Sequence, residues 1–142
     1  MATRASIKFK DSDGKFIANV YHHYDGYPSG LGVKLLELTD GEIVNGLVSL
    51  DEKPPRLFNG FGCLVASVIR GLKGDQPGNV YMYSEDDYGN AGEEYLYEVV
   101  ESKNGCQVLV KSLHSMEAMV DGEFVPVEDV LDKDDVYHAK CK

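Results

Sequence analysis

The passage Phe58-Asn59-Gly60-Phe61-Gly62-Cys63-Leu64-Val65-Ala66-Ser67-Val68-Ile69-Arg70-Gly71-Leu72-Lys73-Gly74 is the longest uninterrupted apolar stretch of the chain. From Cys63 to Ile69 only Ser67 is polar, so a helix here is expected to lack a solvent face and to be enclosed on nearly all sides. A continuous buried strand is the competing reading, but the length and the Gly71-Leu72-Lys73-Gly74 ending favour a helix. Arg70 and Lys73 suit its negative dipole end, and Gly74 can take the left-handed stop. Ahead of it, Asn59-Gly60-Phe61-Gly62 brings supple backbone to a helix N-terminus, where free N–H groups can hold an anion. Equally, the glycines could simply admit the helix into a crowded core.

Upstream, Ala5, Ile7 and Phe9 alternate with Arg4, Ser6, Lys8 and Lys10. Asp11-Ser12-Asp13-Gly14 is a turn, and Phe16 to His23 resumes as the partner strand of an N-terminal hairpin. Asp25-Gly26 and Tyr27-Pro28 then mark a tight loop, with Ser29 as N-cap of a helix through Val33, Leu35, Leu36 and Leu38. Because Tyr21 to Gly30 combines aromatics and histidines, it forms a second candidate recognition element, Tyr24 included. Neighbouring strand residues point to opposite faces, so His22 and His23 do not readily share a metal ion, and no metal is expected. Residues 42–48 read as a short helix or a turn. Pro54-Pro55 imposes extended backbone leading to Arg56, placing that guanidinium near the Gly60–Gly62 segment, either as a phosphate fork or as a solvated surface cation.

Downstream, Asp75–Gly78 is a turn and Asn79–Ser84 a strand, with Tyr81 and Tyr83 on one side. Glu85–Gly92 reads as an acidic hairpin loop, Glu94–Glu101 as the next strand, and Ser102-Lys103-Asn104-Gly105 as a turn into Cys106–Leu113. The three strands predict an antiparallel meander in which Tyr81, Tyr83, Tyr95 and Tyr97 pair across strands. A small hairpin around Asp121-Gly122, a helical turn near Val130 and Leu131, and a frayed tail from 132 to 142 complete the chain. The fold class is α+β: an antiparallel sheet, built from the N-terminal hairpin and the meander, packed against two or three helices in one domain of 142 residues.

Charge narrows the partners. Residues 1–71 carry 8 basic and 8 acidic side chains, whereas residues 72–142 carry 6 and 16, so the net −10 belongs to the second half. Such a surface disfavours polymeric nucleic acid and anionic membrane. No run approaches the roughly 20 apolar residues of a membrane span, and Met1-Ala2-Thr3-Arg4 leads into a strand without a signal-peptide core. Three scattered cysteines, Cys63, Cys106 and Cys141, lack zinc or redox spacing and fit a reducing cytoplasm, with Cys63 and Cys106 as small buried apolar residues. Nucleophile-elbow, P-loop and His-Glu-x-x-His patterns are absent. Cys106 beside a histidine reads as core rather than nucleophile, and Glu85-Asp86-Asp87 as a solvated face rather than a metal site. The composition points to binding rather than turnover.

Ala2-Thr3-Arg4-Ala5, His22-His23-Tyr24-Asp25-Gly26-Tyr27-Pro28, Asn59-Gly60-Phe61-Gly62-Cys63-Leu64 and Glu93-Glu94-Tyr95-Leu96-Tyr97-Glu98 together resemble small bacteriophage proteins. Across residues 2–113 the chain looks like the first described family of Thoeris anti-defence sponges. The resemblance implies capture, without cleavage, of the cyclic ADP-ribose isomers made by TIR-domain enzymes. It also implies cyclic oligonucleotides at a separate site in some members, and homo-oligomers with ligand sites at subunit junctions. On that footing Tyr81 or Tyr83 offers a platform for the purine, Arg56 with Gly60–Gly62 offers the pyrophosphate site, and Tyr81 and Asn90 match the family's ligand-contacting aromatic and asparagine. The expected ligand-binding set is Tyr24, Arg56, Phe58, Asn59, Gly60, Tyr81, Tyr83 and Asn90, with no catalytic residue and no cofactor. An acidic protein-binding inhibitor of a host factor is the rival reading, and a phosphodiesterase the third.

Overall fold

The computed structural model describes residues 2–44, 56–103, 105–113 and 123–131, with Arg56 described by its backbone alone. The N-terminal alternation produces strands β1 (Ala5–Lys10) and β2 (Phe16–His22), paired antiparallel with Ile7 opposite Val20. The other main-sheet strands are β5 (Val80–Tyr83), β6 (Tyr95–Ser102), β7 (Gly105–Ser112) and β8 (Val125–Pro126), following β3 (Gly41–Val44) and β4 (Arg56–Asn59), which form a separate parallel pair. The six-stranded sheet has the order β5-β2-β1-β6-β7-β8. With helices α1 (Val33–Leu38) and α2 (Phe61–Lys73), the fold is α+β.

The sheet is mixed rather than antiparallel throughout. β1 pairs in parallel with β6, Ile7 facing Tyr97, while β5 pairs antiparallel with β2 at the far edge. Only β6 and β7 of the expected meander are neighbours, paired antiparallel up to Ser102 opposite Gly105. Residues 84–94 are therefore a crossover between two strands that run the same way, which no hairpin can join. Consecutive burial of Tyr95, Leu96 and Tyr97 explains the placement of β6: a central strand is covered on both faces. Tyr81 and Tyr83 consequently pair with Tyr21 and Asn19, not with Tyr95 and Tyr97.

Ile7, Phe9, Val20, Tyr97, Val99 and Val110 point to one face of the sheet and are fully buried there with Leu35, Leu64 and Val68. Helix α2 presents Phe61, Leu64, Val65, Val68 and Leu72 to this core. It does have a solvent face: Gly62, Cys63, Ala66, Arg70 and Gly71 are exposed, and Cys63 is not buried as its residue type suggested. Apart from Arg70 these residues are small, so a nearly unbroken apolar run conceals an ordinary amphipathic stripe of large residues. Cys106 is half-buried, and burial pushes its thiol up to about 11. Gly74 ends α2 at φ 52°.

Ser29 is not a cap. The chain turns into α1 through a π-helical turn, Pro28–Gly32, with Pro28 at the first position and Tyr27 ahead of it. The preceding loop is pinned from two sides. Gly26 N–H donates to the Thr3 carbonyl at 2.8 Å, and the buried Tyr97 hydroxyl donates to the Gly26 carbonyl at 2.6 Å. A Cβ at Gly26 would lie 2.6 Å from the Thr3 oxygen, so no larger residue fits. Of residues 42–48, read as helix or turn, 42–44 belong to strand β3; the rest of that segment, 45–48, lies outside the described residues. So do the hairpin tip at Asp121-Gly122 and the 132–142 tail, while a 3-10 turn at Val127–Asp129 stands just ahead of Val130 and Leu131.

Candidate functional site

Side chains alternate across a strand, so Tyr21, Tyr81 and Tyr83 emerge on the face opposite α2. Tyr21 is nearly enclosed, stacked on Tyr83 at 4.9 Å between centroids with 8° between planes, and tilted against Tyr81 at 6.2 Å. Above it, Tyr81 and Tyr83 remain 45% and 36% exposed. Burial raises the Tyr21 phenol, Arg4 opposes the rise, and Tyr83 and Glu93 add to it. The Tyr21 hydroxyl lies 2.8 Å from Nδ1 of His23, and the His23 ring meets Tyr24 edge-on at 4.6 Å. Tyr24 is 54% exposed. Its backbone N–H and that of His23 both donate to Oδ1 of Asn79, at 2.8 and 3.2 Å. Asn79 itself adopts φ 73°, a left-handed conformation that asparagine tolerates.

Two cations flank these rings. Lys73 reaches round from the end of α2, its Nζ 5.7 Å from the Tyr81 centroid, and donates to the Gly78 and Val80 carbonyls at 3.2 Å each. Arg4 lies against Gly92, where an added Cβ would stand 2.8 Å from Nη1. The crossover is fastened to the same face by the buried Glu93 carboxylate. It accepts from the Ser6 hydroxyl at 2.7 Å, Gly89 N–H at 2.8 Å and Ala91 N–H at 2.6 Å. Tyr88 lies under Lys8, 4.5 Å from its ring centroid, and donates to the Tyr97 carbonyl at 2.7 Å. Asn19 donates to the Ser84 carbonyl at 2.9 Å, while its buried Oδ1 has no partner among the described residues. The result is an aromatic shelf with a hydrogen-bonding imidazole and flanking positive charge, suited to a flat ring bearing negative substituents.

The structure brings together Tyr24, Tyr81 and Tyr83 of the expected set. Asn90 is exposed on the crossover that follows β5, with Nδ2 donating to the Asp86 carbonyl at 2.8 Å. The remaining residues belong to the helix side of the sheet. Phe58 is a core residue at 2% exposure and unavailable to a ligand. Gly60, at φ 89°, already directs its N–H to the Val44 and Phe58 carbonyls. Asn59 is exposed at the end of β4, and Arg56 starts that strand, about 13 Å of extended chain from Gly60. The phenols stand on the face of the sheet opposite α2, whereas Gly60–Gly62 opens that helix. Tyr21, which opens the segment singled out as a second recognition element, and Asn79 are shelf residues outside the expected ligand-binding set. The alternation of β2 put Tyr21 on the polar face beside Asn19, but only the pairing of β2 with β5 reveals what it supports.

Among the described residues, no group of three or more His, Cys, Asp or Glu gathers to hold a metal, and no helix is long and apolar enough to cross a membrane. Comparison with protein-family models, curated proteins and solved structures finds no match for this chain.

Proposed function

We propose that this protein captures a small nucleotide signal on the tyrosine shelf and releases it unaltered. The observation that carries the reading is the Tyr21–Tyr83 stack, which holds one ring fixed beneath others that remain open. A purine lies over Tyr81 and Tyr83, with Tyr24 at the margin, and its phosphates turn toward Arg4 and Lys73. The resemblance of the sequence to Thoeris anti-defence sponges narrows the ligand to cyclic ADP-ribose isomers made by TIR enzymes, with cyclic oligonucleotides as the second class. The working place is then the cytoplasm of an infected bacterium. Exposed Tyr81, Met82 and Tyr83 at the sheet edge suit a contact with a second copy of the chain. Capture is stoichiometric, so affinity must be high and dissociation slow.

Calorimetry with cyclic ADP-ribose isomers tests the proposal. Saturable binding is expected, and Tyr81→Ala should weaken it about tenfold or more while leaving the melting temperature nearly unchanged. Absence of heat and of thermal stabilisation with every isomer rejects it. The exposed acidic turn Glu85–Asp87 beside β5 favours a second reading, an inhibitor that covers a basic protein surface. Incubation with a TIR reaction filtrate followed by heat denaturation separates the readings. Intact nucleotide in the released fraction supports capture, its absence favours the inhibitor, and an altered product identifies a phosphodiesterase.

A further inference from the structure

Alternation along β2 sends His22 to the helix side of the sheet, away from the tyrosine shelf. There it lines a cavity of about 230 Å³ with Asp25, Gly30, Leu31 and Lys34. His22 is 9% exposed, and its buried Nδ1 has no hydrogen-bond partner among the described residues. Burial lowers its pKa, opposed by the Tyr24 backbone and by Asp25, so near neutral pH the ring is uncharged with a hydrogen bond left to make. Asp25 is held at φ 57°, and its Oδ1 accepts from the Tyr27 hydroxyl at 3.2 Å. Lys34 projects from the first turn of α1. Asp25 and Lys34 line the same cavity, and among the described residues they form no ion pair with each other. Leu31, buried at 2% exposure, supplies the apolar wall.

An anion, a cation and a neutral hydrogen-bonding ring thus converge on one small apolar-walled space. Asp25 and Lys34 are both exposed, so a ligand with a single charge engages one of them and leaves the other to water, whereas a zwitterion engages both. We propose that this cavity binds a small zwitterion of the free α-amino acid class. Its ammonium meets Asp25, its carboxylate meets Lys34, and its side chain lies on Leu31, while His22 Nδ1 takes the remaining polar contact.

The test follows the ring nitrogens of His22 by NMR in the full chain, titrated with L-alanine, L-leucine and L-glutamine. Isopentylamine and 4-methylpentanoate, each carrying one of the two charges, serve as controls. Saturable movement of the His22 resonances by at least one amino acid is expected, about tenfold tighter than by either control. Asp25→Asn, which keeps a residue at ease in left-handed backbone, and Lys34→Met, at an exposed position, should each weaken that binding about tenfold with the melting temperature unchanged. Unmoved His22 resonances with all three amino acids overturn the proposal. So does a control that binds as tightly, or undiminished binding by both variants. Nucleotide capture is measured on the opposite face with wild-type and Tyr81→Ala protein, so either reading can fail alone.

Discussion

Tyr97 joins the core to the recognition loop through one hydroxyl, and its removal has a defined effect. Tyr97→Phe keeps the buried ring but leaves the Gly26 carbonyl, 2.6 Å away, without this donor. A loss of about 1–3 kcal/mol in urea unfolding is expected. Burial raises the Tyr97 phenol well above its ordinary range and raises Tyr88 as well, with Glu98 and Glu93 adding to the Tyr88 shift. Both must stay protonated in the folded state, whereas unfolded tyrosine ionises near pH 10. Their contribution is therefore complete below about pH 10 and lost above it, at about 1.4 kcal/mol per pH unit for each proton. Urea midpoints measured through the alkaline range should fall, and Tyr88→Phe should make that fall shallower. His22 behaves in the opposite sense. Its lowered pKa means that its contribution holds above about pH 6.5 and is lost as the pH drops, read by the same titration on the acid side.

Elements were legible wherever one segment carried its own pattern. The β1–β2 hairpin follows from Ala5, Ile7 and Phe9 alternating with charged or polar neighbours, and the extent of α2 follows from its apolar length and Gly74. The burial stripe of α2 was hidden because Gly62, Cys63 and Ala66 are small and not polar. Gly62 has open space where a Cβ would stand, so Gly62→Ala should stabilise the protein by about 0.5–1 kcal/mol in thermal or urea unfolding without weakening the proposed nucleotide capture. A loss of capture would return the helix N-terminus to the site. The position of β5 was illegible because Tyr81 meets Tyr21 across nearly 60 residues of chain, and local sequence is silent on such pairings. For the same reason the sequence could place Tyr21 in a candidate recognition segment and offer Tyr81 and Tyr83 as platforms, but not show that Tyr21 stacks on Tyr83. Lys73 guards this edge by occupying the Val80 carbonyl, while Val80 N–H turns to Gly78. Lys73→Ala should free the strand, accelerating amide exchange in Val80–Tyr83 about tenfold by hydrogen-exchange mass spectrometry.

For the molecule as a whole, charge was readable from composition and connectivity was not. The acidic excess of residues 72–142 gives a direct expectation: duplex DNA and RNA should not be retarded in a gel at physiological salt. Retardation would overturn the exclusion of polymeric nucleic acid. The parallel pairing of β1 with β6 joins residues about 90 apart, and it has a temporal meaning. On a translating ribosome the first hairpin emerges long before the strand that must lie alongside it. Ile7 and Phe9 wait in water, next to an open backbone ladder, until residues 95–100 have been made. A nascent chain halted before that point is a natural client for a holdase chaperone, and synthesis rate, rather than final stability, governs how much of it reaches the finished form.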